Sequence, residues 1–495
     1  MRYTKMLGSV ALATLLVTGF TGCSDDDDVV ALTETEQLVQ DLETASQTAI
    51  DASLANLTAG DEIPFGDGSF SPYERVAVFP TVKKSDGSVD HVATYAKVAE
   101  LANTFAKYVA NTNEPESDSA TFKGTNWILA GYETSDTATD ENIKHNILGI
   151  PTKLPIDPDV AMSAANTKKV KVVEICNSGY ASQALGVSNV GGETGAKVQN
   201  GIYHATALPC EVTIYNDENG IYVDMLNPET IFTLFFTEVF TSAEMENTDF
   251  RTAMMALPTQ VKSEISAMIY NAFDTVEESY TKTDIKMGTI YSSMSSAVAT
   301  TDTANGGSEP YRHYSYTTTD ATSNGFTSAD AKAIASTLIS VMTSDEEGTV
   351  GSQESALKDT LPSTLAGQSP AWRSGRLEPL KVPGGSYIVE ACSPTYAKEA
   401  LSTGEYHTPA LPCEIAVFVN PDDNKTIDIS ILNPEFMFGA MFADGMVSMS
   451  AEEIAGFNTI IDNINGDLKT IVDYTMENNV TGFNGVNTQI TPITY

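Results

Sequence analysis

Positive charge is scarce in this sequence. Against 66 Asp and Glu stand 27 Lys and Arg, a formal net charge of −39 over 495 residues. A polyanion is held by clustered cations that displace its counterions, so nucleic acid is excluded as a partner. A polybasic grip on anionic lipid is excluded on the same ground. Histidine is scarce too, with five in all. The sequence shows no Ser/His/Asp grouping, no Gly-rich phosphate loop and no His-Glu-x-x-His helix, so no catalytic residue is assigned. Beyond the N-terminus there is no run of about 18 apolar residues of the kind a membrane-spanning helix needs. Cysteine is limited to five, and setting Cys23 aside leaves an even number: Cys176, Cys210, Cys392 and Cys413.

What is present begins at the N-terminus. Arg2 and Lys5 precede the apolar run LGSVALATLLVTGF, which ends in Phe20-Thr21-Gly22-Cys23. The run is short for a spanning helix and has the layout of an export signal. Small residues before a cysteine resemble a bacterial lipoprotein signal. Residues 1–22 are therefore expected to be a signal peptide, Cys23 the lipidated residue and 23–32 an acidic tether. Ser24 fits sorting to the outer membrane, facing the periplasm or the cell surface. The expected membrane partner is the bilayer, through that anchor alone. Residues 33–60 read as a helical lead.

The rest of the chain is written twice. YHATALPCEV at 203–212 returns as YHTPALPCEI at 406–415. Upstream, Glu174, Cys176, Tyr180 and Leu185 correspond to Glu390, Cys392, Tyr396 and Leu401. Downstream, MLNPETIFTLFF corresponds to ILNPEFMFGAMF, and SPYER at 71–75 has a short match in EPYRH at 309–313. Two units of this length make a domain duplication and not a solenoid. The domains are placed at 70–282 (core 170–240) and 308–495 (core 386–445).

Each unit reads as strand, amphipathic helix, variable loop region, a strand ending in Glu-x-Cys, a short helix, a hairpin and a closing helix. In the first helix Val92, Tyr95, Ala99, Ala102, Phe105 and Val109 are expected on one face. In its counterpart the inward set is Ile334, Leu338 and Val341, with Ser328 as cap. Leu-Asn-Pro-Glu starts a helix for plain reasons. Asn227 and Asn433 can accept backbone N–H bonds, Pro228 and Pro434 suit the first helical position, and Glu229 and Glu435 favour the positive end of the dipole.

Together these motifs resemble the family called domain of unknown function 302. Its pattern is a hydrophobic strand running into Cys, often followed by Asn/Ser-Pro, then a Leu-Pro-Cys strand start, a hairpin and an Asn/Asp-Pro-Glu helix start. Cys392-Ser393-Pro394 and Leu411-Pro412-Cys413 fit it closely, whereas Asn177-Ser178-Gly179 lacks the proline. The resemblance covers about 65–70 residues of each half. It implies an α+β class with two tandem domains, each a curved antiparallel sheet packed by helices, with helical extensions. It implies no activity.

The candidate chemistry lies in the repeated side chains. Disulfides Cys176–Cys210 and Cys392–Cys413 are the first expectation, because an exported chain meets an oxidising compartment. Reduced, packed cysteines are the plain alternative. A metal or haem site would use Cys176, Cys210 and His204 in one unit and Cys392, Cys413 and His407 in the other, with Glu174 and Glu390 supporting from behind. A thiol redox role is weakened by the neighbouring glutamates, which raise a thiol's pKa. The function expected is a non-enzymatic binding or interaction module with a small-molecule or protein partner and no fixed cofactor. The metal or haem binder and the redox protein stay open as alternatives.

Overall fold

Alternating strand runs and two long amphipathic helices per half build the architecture. The computed structural model describes residues 71–112, 127–129, 147–185, 201–208, 211–236, 248–274, 279–288, 310–318, 324–342, 372, 377–380, 386–411, 413–420, 424–446, 449–477 and 488–492. The signal, Cys23, the tether and the helical lead lie outside them.

The first sheet contains β1 (Tyr73–Phe79), β2 (Trp127–Leu129), β3 (Ile147–Pro155), β4 (Thr167–Asn177), β5 (Glu211–Asn216), β6 (Ile221–Leu226) and β7 (Thr281–Met287). Its order is β2-β4-β5-β6-β1-β7, with β3 also paired to β4. The second contains β8 (Tyr311–Thr318), β9 (Leu377–Leu380), β10 (Ser386–Ala391), β11 (Cys413–Val419), β12 (Thr426–Leu432) and β13 (Thr488–Pro492), in the order β13-β8-β12-β11-β10-β9. Every described pairing is antiparallel. The fold is α+β. The central strands correspond one for one, β4-β5-β6-β1 to β10-β11-β12-β8. Tyr73 pairs with Leu226 as Tyr311 pairs with Leu432, so the short SPYER/EPYRH match marks the same strand in each half.

The first half carries helices α1 (His91–Thr112), α2 (Ser178–Ala184), α3 (Pro228–Phe235) and α4 (Thr248–Phe273). The second carries α5 (Ser328–Met342), α6 (Pro394–Ala400), α7 (Pro434–Met441), α8 (Ala443–Met446) and α9 (Ala451–Glu477). Asn227 and Asn433 cap α3 and α7 as expected, each accepting from the glutamate N–H two residues on at 3.2 Å. Two details differ from the sequence pattern. Val92 is exposed, and the buried stripe of α1 runs through Val98, Leu101, Ala102, Phe105, Ala106 and Val109. Thr94, in the same turn, is fully buried, so the first turn points that side inward and Val92 outward. For α5 the start is fixed by Thr327, whose N–H donates to Asp330 Oδ2 at 2.7 Å, and Ser328 instead meets the Tyr387 hydroxyl at 3.0 Å.

The apolar face of each sheet packs on its long helices. Val212, Ile214, Val223 and Met225 are fully buried in the first half, and Ile415, Val417, Ile429 and Ile431 in the second. Burial of each such side chain contributes roughly 1.5–3 kcal/mol before entropy. The opposite face is polar and is closed by the other half. The 3-10 turn Glu405–Ala410 packs on β1, β4, β5 and β6, and the turn Gly201–Ala207 packs on β10, β11 and β12. The contact is reciprocal. Tyr73 donates to the Met441 carbonyl and Tyr311 to the Phe235 carbonyl, each at 2.7 Å. His407 lies 5.3 Å from the Tyr73 ring and His204 5.1 Å from the Tyr311 ring. The repeated Tyr-His pair is therefore the piece that each half lays on the sheet of the other.

Candidate functional site

Strand β10 runs directly into Cys392 and Ser393, and Pro394 opens α6. The loop that follows brings Ala410 and Leu411 back beside them, and Leu432 and Pro434 arrive from the end of β12. These residues close around a cavity of about 40 Å³ with Trp372, Tyr396 and Phe438 in its wall. The lining comes from each of the repeated motifs: Cys-Ser-Pro, Ala-Leu-Pro-Cys and Leu-Asn-Pro-Glu.

The polar groups in that wall are few. Trp372 Nε1 donates to Asp467 Oδ2 at 3.0 Å, and the Tyr396 hydroxyl donates to the same oxygen at 3.1 Å. Burial, and then the Asp467 carboxylate, push the Tyr396 phenol up to about 12, so it stays a neutral donor. Asp467 thereby fixes the facing of both rings. Ser393 is buried and makes no capping bond to α6, and its hydroxyl has no hydrogen-bond partner. A buried hydroxyl left without a partner is costly in a closed interior, and here it borders a void.

The first half repeats the arrangement. Trp127 Nε1 donates to Glu264 Oε2 at 2.6 Å and Tyr180 to Glu264 Oε1 at 2.5 Å. The ring centroids stand 6.1 Å apart, as they do for Trp372 and Tyr396. Burial raises the Glu264 carboxyl, against the two hydrogen bonds that lower it. The sequence comparison missed this node. Its available signal was that the chain has only two tryptophans, each now found beside a repeated tyrosine.

Of each expected bridge the structure describes the side chain of one cysteine. Cys176 and Cys392 are buried, and no disulfide is seen among the described residues. Cys413 is the register partner of Ala391, and Cys392 lies one residue past that pair. Cys210 lies outside the described residues.

Both repeated histidines have polar partners. His204 Nδ1 lies 2.8 Å from the Tyr311 hydroxyl. His407 Nδ1 lies 2.6 Å from Thr403 Oγ1, and its Nε2 is 3.0 Å from Asp444 Oδ1. A hydroxyl, an imidazole and a carboxylate in line have the order of a nucleophilic relay. Yet His407 is fully buried among the rings of Tyr73, Tyr406 and Phe442, and Thr403 Oγ1 also reaches the Ala400 carbonyl at 2.7 Å. The set acts as a brace. Glu174 and Glu390 are buried opposite Glu211 and Glu414 in the strand register. Among the described residues no group of three or more His, Cys, Asp or Glu side chains has the geometry to hold a metal ion. No described helix is long and apolar enough to cross a membrane.

No curated protein and no solved structure matches the chain. One family model does, and the matched segment contains every residue of the cavity wall except Trp372. Residues 382–464 match Domain of unknown function DUF302.

Proposed function

We propose that this chain is a non-enzymatic binding module whose second half holds a small, largely apolar molecule in the cavity beside Cys392 and Ser393. One observation carries the reading: an apolar void with a buried, unpartnered hydroxyl in its wall. Ligand sites are commonly pre-formed apolar hollows with a few placed polar groups. A void of about 40 Å³ compares with the 10–15 Å³ that one water needs on this measure. It takes three or four heavy atoms, or the end of a larger molecule. At about 1.5 kcal/mol per atom, the ceiling for so small a ligand is a Kd of tens of micromolar.

Ala397 lines the cavity and is itself buried. Thermal shift of the full chain against short ketones, alcohols and alkenes is expected to saturate, and A397L is expected to fill the space and abolish the response while folding. An equal response in A397L overturns the reading.

The first half is read as a second copy of the same family, diverged below the reach of its model. Its strand order and its Cys-x-x-x-Tyr, Leu-Pro-Cys and Asn-Pro-Glu motifs support this. Display from the cell envelope through Cys23 fits the N-terminal sequence. Fatty-acid labelling that is lost in C23S is the check, and labelling unchanged in C23S refutes it.

A further inference from the structure

The wall of the cavity has changed far less between the halves than the core around it. Of thirteen lining residues, ten recur unchanged at the matching positions of the first half. The three exceptions are Ser393 against Asn177, Met437 against Ile231 and Ile464 against Val261. The long helices α4 and α9 give a control. Their register is set by Glu264 and Asp467, which play the same part in the two nodes. At the buried pairs Met254/Phe457, Ile265/Leu468, Ile269/Val472 and Phe273/Met476, outside the wall, no residue is shared. Packing alone has let the helix cores drift, so it gives no reason for the wall to be held.

The exception at Ser393 is informative. Asn177 Oδ1 caps α2, accepting from the N–H groups of Gly179 and Tyr180 at 3.1 and 3.2 Å. That leaves its Nδ2, which is buried without a partner, as Ser393 Oγ is. An amide nitrogen only donates, whereas a hydroxyl donates or accepts. What the two positions share is a buried donor with nothing to donate to. Neither half places a described cation in this wall, so a carboxylate would lose hydration with no charge in return.

We infer that the first half carries a second binding site of the same kind, walled by Trp127, Cys176, Asn177 and Tyr180. Both sites take an apolar group that presents a neutral acceptor oxygen, as in a ketone, aldehyde or ether. This rests on the proposed function and goes beyond it in number of sites and ligand class.

The two tryptophans let each site report separately. Each indole N–H is bonded to the carboxylate of its own node, so its nitrogen–proton resonance responds to the adjacent wall. The full chain is titrated with butan-2-one and with 2-methylbut-1-ene, which has nearly the same shape without the oxygen. W127F serves to assign the resonances. Both resonances are expected to move and saturate with the ketone, and the alkene to bind about tenfold more weakly, the worth of one neutral hydrogen bond. S393A is expected to erase that preference at the Trp372 resonance alone. N177A is expected to erase it at the Trp127 resonance, and N177S to restore it. Saturation at Trp372 only refutes the second site and leaves the proposed function standing. Saturation at neither removes both. Equal affinity for ketone and alkene refutes the acceptor requirement.

Discussion

Acidification is expected to weaken this protein through two imidazoles buried where the halves meet. His204 and His313 flank Tyr203, with ring centroids 4.0 and 4.9 Å from it. Burial, helped by its neighbour His313, pushes His204 from its ordinary 6.5 down to about 3, and burial alone does the same to His313. Both rings are neutral in the folded state, and the unfolded chain protonates near 6.5. Their stabilisation is therefore complete above that pH and is lost as pH falls from 6.5 toward 3. For one such group the loss between pH 7 and pH 5 is about 1.9 kcal/mol, so the pair contributes about 4 kcal/mol. Buried carboxyls work the other way. Glu74, Asp224 and Glu405 are raised by burial against the cations that hold them, so acid restores stability through them. The wild-type curve alone is thus a difference of opposing effects. A comparison with H204Q/H313Q removes the shared part, since glutamine does not titrate. Urea unfolding at pH 7 and pH 5 is expected to show the wild type losing about 4 kcal/mol more than the variant. Equal losses refute the argument, as does an imidazole resonance from either ring titrating near 6.

Three further outcomes follow from the same contacts. Y73F and Y311F each remove the donor to a buried carbonyl of the other half; each is expected to cost about 1–3 kcal/mol in urea unfolding, and a cost in only one of them argues against the reciprocal contact. Lys168 and Glu405 form a buried pair at 2.7 Å. K168M is expected to lose about 3–5 kcal/mol by stranding the carboxylate, with most of it recovered in K168M/E405Q; no recovery refutes the pairing. The expected bridges Cys176–Cys210 and Cys392–Cys413 protect their cysteines from maleimide in denaturant until reductant is added, as read by peptide mass. Modification of Cys176 and Cys392 without reductant refutes them.

Much of the fold was legible because its signals are local. Alternation marks the hairpins, and Asn-Pro-Glu names its own helix start, since cap, proline and dipole all act within one turn. Repetition did the rest, because a match of Tyr73 to Tyr311 needs only aligned letters. What was illegible depends on where the sheet faces. The α1 stripe missed its first turn because the inward positions there are Thr94 and Lys97, which an apolar pattern does not register.

The site was half legible in the same sense. Its motifs were all in view, read as fold markers, and the void they enclose belongs to none of them singly. The tryptophans were invisible because TNWIL and PAWRS share nothing except the residue itself. The Tyr-His pair could not be explained from either half, since its counterpart, Tyr73 or Tyr311, comes from the other. The two features meet at one side chain. Phe442 lines the cavity and packs its ring 4.8 Å from His407, which in turn contacts Tyr73 across the halves. The Glu405–Ala410 turn has the same double duty, with Tyr406 and His407 facing the first sheet and Ala410 facing the void. A close-packed interior transmits displacement, so whatever fills the cavity presses on the contact that joins the halves. The ten letters YHTPALPCEI thus join both jobs: their first residues hold the other half and the next ones wall the cavity.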